Sequence, residues 1–153
     1  MRVLLDTNVL LDSIMQRSPW DKDADAILQA AAMGQASCAI TTLSLATLFY
    51  VGRKAVGAAA ARAGVRRYLA GFAILPIDKQ TLVAADGMLG SDFEDNIVIA
   101  AGVSASVDAI VTRNVADFAH SPIPVWEPAE LLKRLPARST PPAPGASPGS
   151  GQP

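Results

Sequence analysis

A single cysteine, a single histidine and the lack of any apolar run long enough to cross a bilayer set the first limits on this 153-residue chain. One thiol cannot form an intrachain disulfide, and nothing near Cys38 has metal-ligand spacing. Within Ser37-Cys38-Ala39-Ile40 it reads as a small buried residue. A membrane span requires about 18 consecutive apolar residues, so none is expected although half of the residues are hydrophobic. Asp6 and Asp12 interrupt the apolar part of the amino terminus, which does not fit a signal peptide, and the expected compartment is the cytoplasm. The formal net charge of -1 excludes a chain-wide basic surface of the kind that drives nonspecific nucleic-acid binding, while leaving room for a local patch. His120, in Ala119-His120-Ser121-Pro122, has no partner at suggestive spacing and reads as a solvent-exposed residue rather than a catalytic base. There is no internal repeat. The lack of a glycine-rich phosphate loop, and of a lysine after the last strand pattern, argues against an unrelated phosphoryl-transfer or receiver-like domain.

What is present is an alternation of strand-like and helix-like segments on a length suited to one domain. Arg2 to Asp12 opens the chain as an apolar, strand-like segment that runs into a carboxylate at Asp6. Ser18-Pro19-Trp20 reads as a helix start, through Ala24, Ile27, Leu28 and Ala31, with a stop near Gly34. A strand at Ser37 to Thr41 precedes a helix to about Val56, and an alanine-rich helix covers Ala58 to Gly71. Ala73 to Ile77 is a strand, and Asp78 caps a helix ending around Gly87 to Gly90. A helix follows over Asp92 to Ala105, then a strand over Asp108 to Thr112, a turn over Asn114 to Phe118, a strand at Ile123 to Val125 and a helix from Pro128 to Leu135. Strands alternating with helices predict an α/β three-layer sandwich around a central, mostly parallel sheet. Residues 1–135 form the expected domain. From Pro136 to Pro153 six prolines, three glycines and one charge, Arg138, leave too little apolar surface to offset ordering entropy, so a disordered tail is expected.

Three polar groups interrupt this apolar pattern: Asp6 after the first strand, Asp92-Phe93-Glu94-Asp95 before a helical run, and Thr112-Arg113-Asn114 after a late strand. A carboxylate beside a core strand is costly unless something compensates it. Acids at adjacent strand ends suit Mg2+ or Mn2+, which take oxygen ligands, keep several waters and leave positions for substrate phosphate. Asp92 has the spacing of a helix cap and reads as that rather than as a ligand. Asp95 is favoured over Glu94, because Val98 and Ile99 one turn on place its side toward the core. Thr7, Asn8 and Ser44 are supporting polar groups that serve equally well in local backbone bonds.

In order and spacing, Leu5-Asp6-Thr7-Asn8-Val9-Leu10-Leu11-Asp12, Asp92-Phe93-Glu94-Asp95 with its Ile99-Ala100-Ala101 helix, and Val111-Thr112-Arg113-Asn114-Val115-Ala116-Asp117-Phe118 resemble the PIN-domain family, specifically its VapC-type toxins. The resemblance covers residues 1 to about 132. It implies a metal-dependent endoribonuclease, usually dimeric, with three or four acids around Mg2+ or Mn2+, and an antitoxin that lays a peptide across an apolar groove. Asp6 matches the first acid and Asp95 the third. The second, a glutamate, is replaced by Thr47, and the fourth by Asn114, with Asp117 a turn later and Glu94 alongside as substitutes. Expected catalytic residues are therefore Asp6, Asp95, Glu94 and Asp117, with Asp6 and Asp95 on the metal and Thr47, Thr112 and Asn114 in support. Neutral donors at two of four positions also allow a PIN-like module that binds RNA or protein without cutting.

Cations for an RNA backbone are Arg113 beside the site, Arg53 and Lys54 at the end of the second long helix, and Arg62, Arg66 and Arg67 on the next. Such charge is equally well a solvated helix face. The alanine-rich helix suits close packing, within the core or in a homodimer.

Overall fold

The computed structural model describes residues 1–136. The segment expected to be a disordered tail therefore lies, apart from Pro136, outside the described residues. Five short strands form one sheet in the order β3-β2-β1-β4-β5, with β1 Arg2–Leu5, β2 Ser37–Thr41, β3 Ala73–Leu75, β4 Ala109–Val111 and β5 Val125–Trp126. All four pairings are parallel. Parallel strands require crossover connections, and the helices that supply them cover both faces.

The period of two in a strand divides β1 between two cores. Val3 and Leu5 pack on one side with Ile27, Leu48, Tyr68 and Leu131. Leu4 packs on the other with Val98, Ile99, Ile110 and Phe118. The first layer holds α1 Thr7–Ile14, α2 Asp21–Ala32, α3 Thr42–Val56, α4 Ala58–Gly71 and α7 Pro128–Arg134, and the second holds α5 Lys79–Asp86 and α6 Phe93–Ser104. The three-layer reading is thus the architecture found. Cys38 is buried in β2, where desolvation pushes its thiol up to about 12, consistent with an inert core residue.

Two local expectations change. Thr7–Ile14, read as an apolar continuation of the first strand, is helical, with Asp6 as its N-cap. Its residues Thr7 and Val9 to Ser13 are buried, and the polar ones among them meet partners inside the fold rather than solvent: Thr7 meets Ser44, Asp12 meets Arg113 and Ser13 meets Asp25. The next helix starts at Asp21 rather than at Ser18, because Ser18, Pro19 and Trp20 form an exposed turn and Trp20 caps without a side-chain bond. Gly57, at φ 85°, joins α3 directly to α4, a left-handed conformation that favours glycine. The buried Tyr68 hydroxyl donates to the Leu10 carbonyl at 3.1 Å and fastens α4 to α1. Among the described residues no helix is long and apolar enough to cross a membrane.

Candidate active site

Strand order reverses between β1 and β4, whose neighbours β2 and β5 lie on opposite sides. In an open α/β sheet the crevice at the carboxyl ends of such strands is where ligands bind. Asp6 follows β1 there and Thr112 follows β4. The Asp6 amide donates to the Val111 carbonyl at 2.9 Å, which sets the acid on the sheet edge.

Asp6 is only 8% exposed. Its Oδ1 accepts from the Thr7 amide at 2.6 Å and its Oδ2 from the Thr112 hydroxyl at 2.8 Å. Burial raises its pKa to about 6, against the lowering effect of those two bonds and of Arg113; Glu94 adds to the rise. The fully buried Thr112 hydroxyl also accepts from Asn8 Nδ2 at 2.9 Å and from the Asn114 amide at 3.0 Å. One hydroxyl therefore joins β4, α1 and the following turn. Thr7 donates to Ser44 at 3.1 Å, and Ser44 bonds Thr41, the cap of α3, at 2.9 Å. Thr7 and Ser44 thus tie α1 to α3 rather than pointing free polar groups at a ligand.

The opposite wall comes from the first turn of α6. Asp92 caps this helix, accepting from the Glu94 and Asp95 amides at 2.8 and 3.3 Å, as its spacing suggested. Asp95 is half-buried, and its pKa is raised to about 7 by burial first, then by the charges of Asp92, Asp6, Asp117 and Glu94. Asp95 thus feels the charges of Asp6 after β1, of Asp92 and Glu94 at the start of α6, and of Asp117 in the 3-10 turn Val115–Phe118. Glu94 is exposed, with the Thr47 hydroxyl 3.4 Å from its Oε1, a long contact that places Thr47 on the same rim. Asp117 and Asn114 are also exposed.

His120 departs from the solvent-exposed expectation. It is half-buried, with Nε2 2.8 Å from Oδ1 of the buried Asn96, whose Nδ2 donates to the Gly90 carbonyl at 2.9 Å. A Cβ at Gly90 would collide with both side chains, so glycine is required where this latch holds the approach to α6. The histidine fixes structure one residue from Asp95. Nothing local in the sequence paired residues 96 and 120.

Asp12 carried no assigned role in the sequence, yet it is a buried charge within reach of the site. At 2% exposure it binds Arg113 Nη1 at 3.1 Å and lies 3.6 Å from Arg17. Burial raises its pKa, while Arg113 and then Arg17 oppose the rise. Asn8 and Asp12, four residues apart, share one face of α1, and Asn8 Oδ1 accepts from the Arg113 amide at 3.2 Å. Recognising α1 as a helix would have pointed to both. Arg113 also lies over the Trp20 ring, 4.2 Å from its centroid, so its guanidinium is held rather than free. Arg53 and Lys54 rest against Tyr50 at the exposed end of α3, and Arg62 lies over Phe49.

Among the described residues no three of His, Cys, Asp and Glu form a ready-made metal cage. The available donors are nonetheless all oxygen, which fits a hard divalent ion held by one or two carboxylates and completed by water and phosphate.

A PIN domain family model matches residues 2–116. No curated protein matches in sequence. Solved structures with the same fold include a toxin-antitoxin complex from Klebsiella pneumoniae, at TM-score 0.63 and 22% identity, covering 82% of this chain and 97% of that one. DNA-bound VapBC from Salmonella typhimurium has TM-score 0.62 and 18% identity over 84% of this chain and 98% of its own. VapBC2 from Rickettsia felis, bound to a promoter fragment, has TM-score 0.60 and 15% identity, with 83% and 98% coverage.

Proposed function

This chain belongs to the PIN domain family, and we propose that it is a Mg2+- or Mn2+-dependent endoribonuclease acting as the toxin of a toxin-antitoxin pair. What supports this reading is that Asp6 stands at the sheet's switch point with its pKa raised by burial and by Glu94, while that of Asp95 is raised by burial and by the charges of Asp92, Asp6, Asp117 and Glu94. Ionised together they repel, and a bound divalent cation would offset that cost.

Asp6 and Asp95 would hold the ion, with Glu94 and Asp117 supplying charge at the rim. When bound, the ion acidifies a water and offsets charge gathering on the phosphate. Thr112 and the Thr7 amide orient the Asp6 carboxylate, and Asp12 orients Arg113 beside it. Arg53 and Lys54, at the exposed end of α3, offer phosphate contacts farther along an RNA strand.

The partners in this reading are an RNA substrate, a cognate antitoxin and a second copy of the chain, in a cytoplasmic setting. Antitoxin docking is supported by the apolar groove of Leu45, Ala46, Phe49 and Val65 between α3 and α4, and by the toxin-antitoxin assemblies that share the fold. The exposed Ala58 to Ala60 and Leu69 of α4 support self-association.

A second reading, a PIN module that binds without cutting, rests on Thr47 and Asn114 standing where acids are expected and on the lack of a three-ligand cage among the described residues. Cleavage of a labelled RNA pool in EDTA, Mg2+ and Mn2+ separates the two. The nuclease cuts only with metal, and Asp6→Asn and Asp95→Asn each lower the rate at least about a hundredfold. Cutting that persists in EDTA, or in both variants, contradicts the assignment. Binding without any cutting selects the second reading.

A further inference from the structure

Beside the acids lies a pocket that their chemistry does not use. It encloses about 360 Å3, including its open mouth, and is lined by Trp20, Asp23, Arg113, Glu127, Pro128 and Ala129. Arg113 links it to the reaction centre, since it follows Thr112, which donates to Asp6. We propose that this pocket receives an unpaired guanine base of an RNA strand and so sets which nucleotide lies next to the cleavage site. The inference rests on the nuclease reading for its biological role, but its binding chemistry stands separately.

Trp20 is 45% exposed although it is a large apolar side chain, and Arg113 lies over its ring at 4.2 Å. Asp12 holds the guanidinium in place at 3.1 Å, so the Trp20–Arg113 pair is a rigid platform. Unstacked bases in single-stranded RNA bind such aromatic and guanidinium surfaces, and their Watson–Crick edges are then read by hydrogen bonds. Pro128 and Ala129 provide the apolar wall.

The polar groups left to read that edge are acceptors. Among the described residues, neither the Asp23 nor the Glu127 carboxylate has a side-chain hydrogen bond or ion pair, although Glu127 stands at the N-cap of α7. Two carboxylates repel phosphate, which excludes a backbone subsite. Arg113 is already paired with Asp12, so what it adds to the lining is a flat stacking surface, which an aliphatic ammonium cannot use. A neutral aromatic ring with N–H donors satisfies both conditions. Guanine presents N1–H and N2–H side by side, a fork matched to a carboxylate, whereas adenine, cytosine and uracil each offer a single donor group there.

The test is fluorescence anisotropy in EDTA, where metal-dependent cutting is suppressed, with labelled uridine-rich RNA pentamers carrying a central guanine, inosine or adenine. Guanine is expected to bind about tenfold more tightly than adenine, with inosine, which lacks the N2 amino group, between them. The Asp23→Asn, Glu127→Gln double variant should bring the guanine-to-adenine ratio close to one, and Trp20→Ala should weaken all three. Equal affinity for guanine and adenine in the unmodified chain overturns the proposal, as does a ratio that survives the double variant. Competition by arginine amide but not by guanosine also overturns it, in favour of a protein ligand. A ratio of one with intact metal-dependent cutting rejects the pocket alone, whereas a preserved ratio without cutting rejects only the nuclease reading.

Discussion

On the β1–β4 side of the cleft, Asp6 has a hydrogen-bond donor on each carboxylate oxygen, and Thr112, which supplies one of them, is fully buried with three bonds of its own. On the α6 side, Asp95 is half-buried among four other acids, Glu94 is exposed, and its contact with Thr47 is 3.4 Å long. One wall is rigid and internally satisfied; the other concentrates charge with little to hold it. A site built this way positions one carboxylate in advance and leaves the remaining ligand field to be completed by an ion and its substrate.

The largest effect on this contrast should come from the rigid wall. Thr112→Val keeps the side-chain shape but leaves Asp6 Oδ2 without a donor and Asn8 Nδ2 and the Asn114 amide without an acceptor. Unsatisfied buried groups cost about 1–3 kcal/mol, so urea unfolding should show a loss of about 2 kcal/mol, with Asp6 titrating higher still. A loss below about 0.5 kcal/mol would mean that the hydroxyl is not the hub described. A smaller effect is expected on the loose wall. Thr47→Glu adds a carboxylate opposite Glu94, so calorimetric Mn2+ affinity should rise severalfold while stability in EDTA falls slightly. Unchanged or weaker Mn2+ binding would show that α3 does not face the ion.

Much of this arrangement was legible because strand and helix signals are local. Val3, Leu4 and Leu5 announce a buried strand, Asp92 announces its helix cap, and the polar breaks at Asp6, Asp95 and Thr112 fall at element ends. The helix Thr7–Ile14 was not legible, since it is only eight residues long and follows Asp6 directly, so that Val9, Leu10 and Leu11 read as a continuation of the apolar run of β1. Pairings across long stretches of chain were equally hidden. Asp12 meets Arg113, and Asn96 meets His120, only because the sheet order brings their elements together. Trp20 looked like part of a helix start, and only the fold shows it under Arg113. Residue types were readable, but partners depended on topology.

The measurement that tests the charge-frustrated metal site most directly is stability against pH, in EDTA and in Mn2+, for the unmodified chain and Asp6→Asn. Asp6 and Asp95 keep their protons to about 6 and about 7 in the fold, whereas their unperturbed value is 3.8. Between those limits the native state binds more protons than the unfolded one, so the stability these groups contribute falls as pH rises from about 4 to about 7. For Asp6 alone the loss is about 3 kcal/mol. In EDTA the unmodified chain should therefore lose stability relative to Asp6→Asn across that window, and Mn2+ should restore it at pH 8. A difference that stays flat or grows in the opposite direction, or Mn2+ that restores nothing, would contradict a cation site at Asp6 and Asp95.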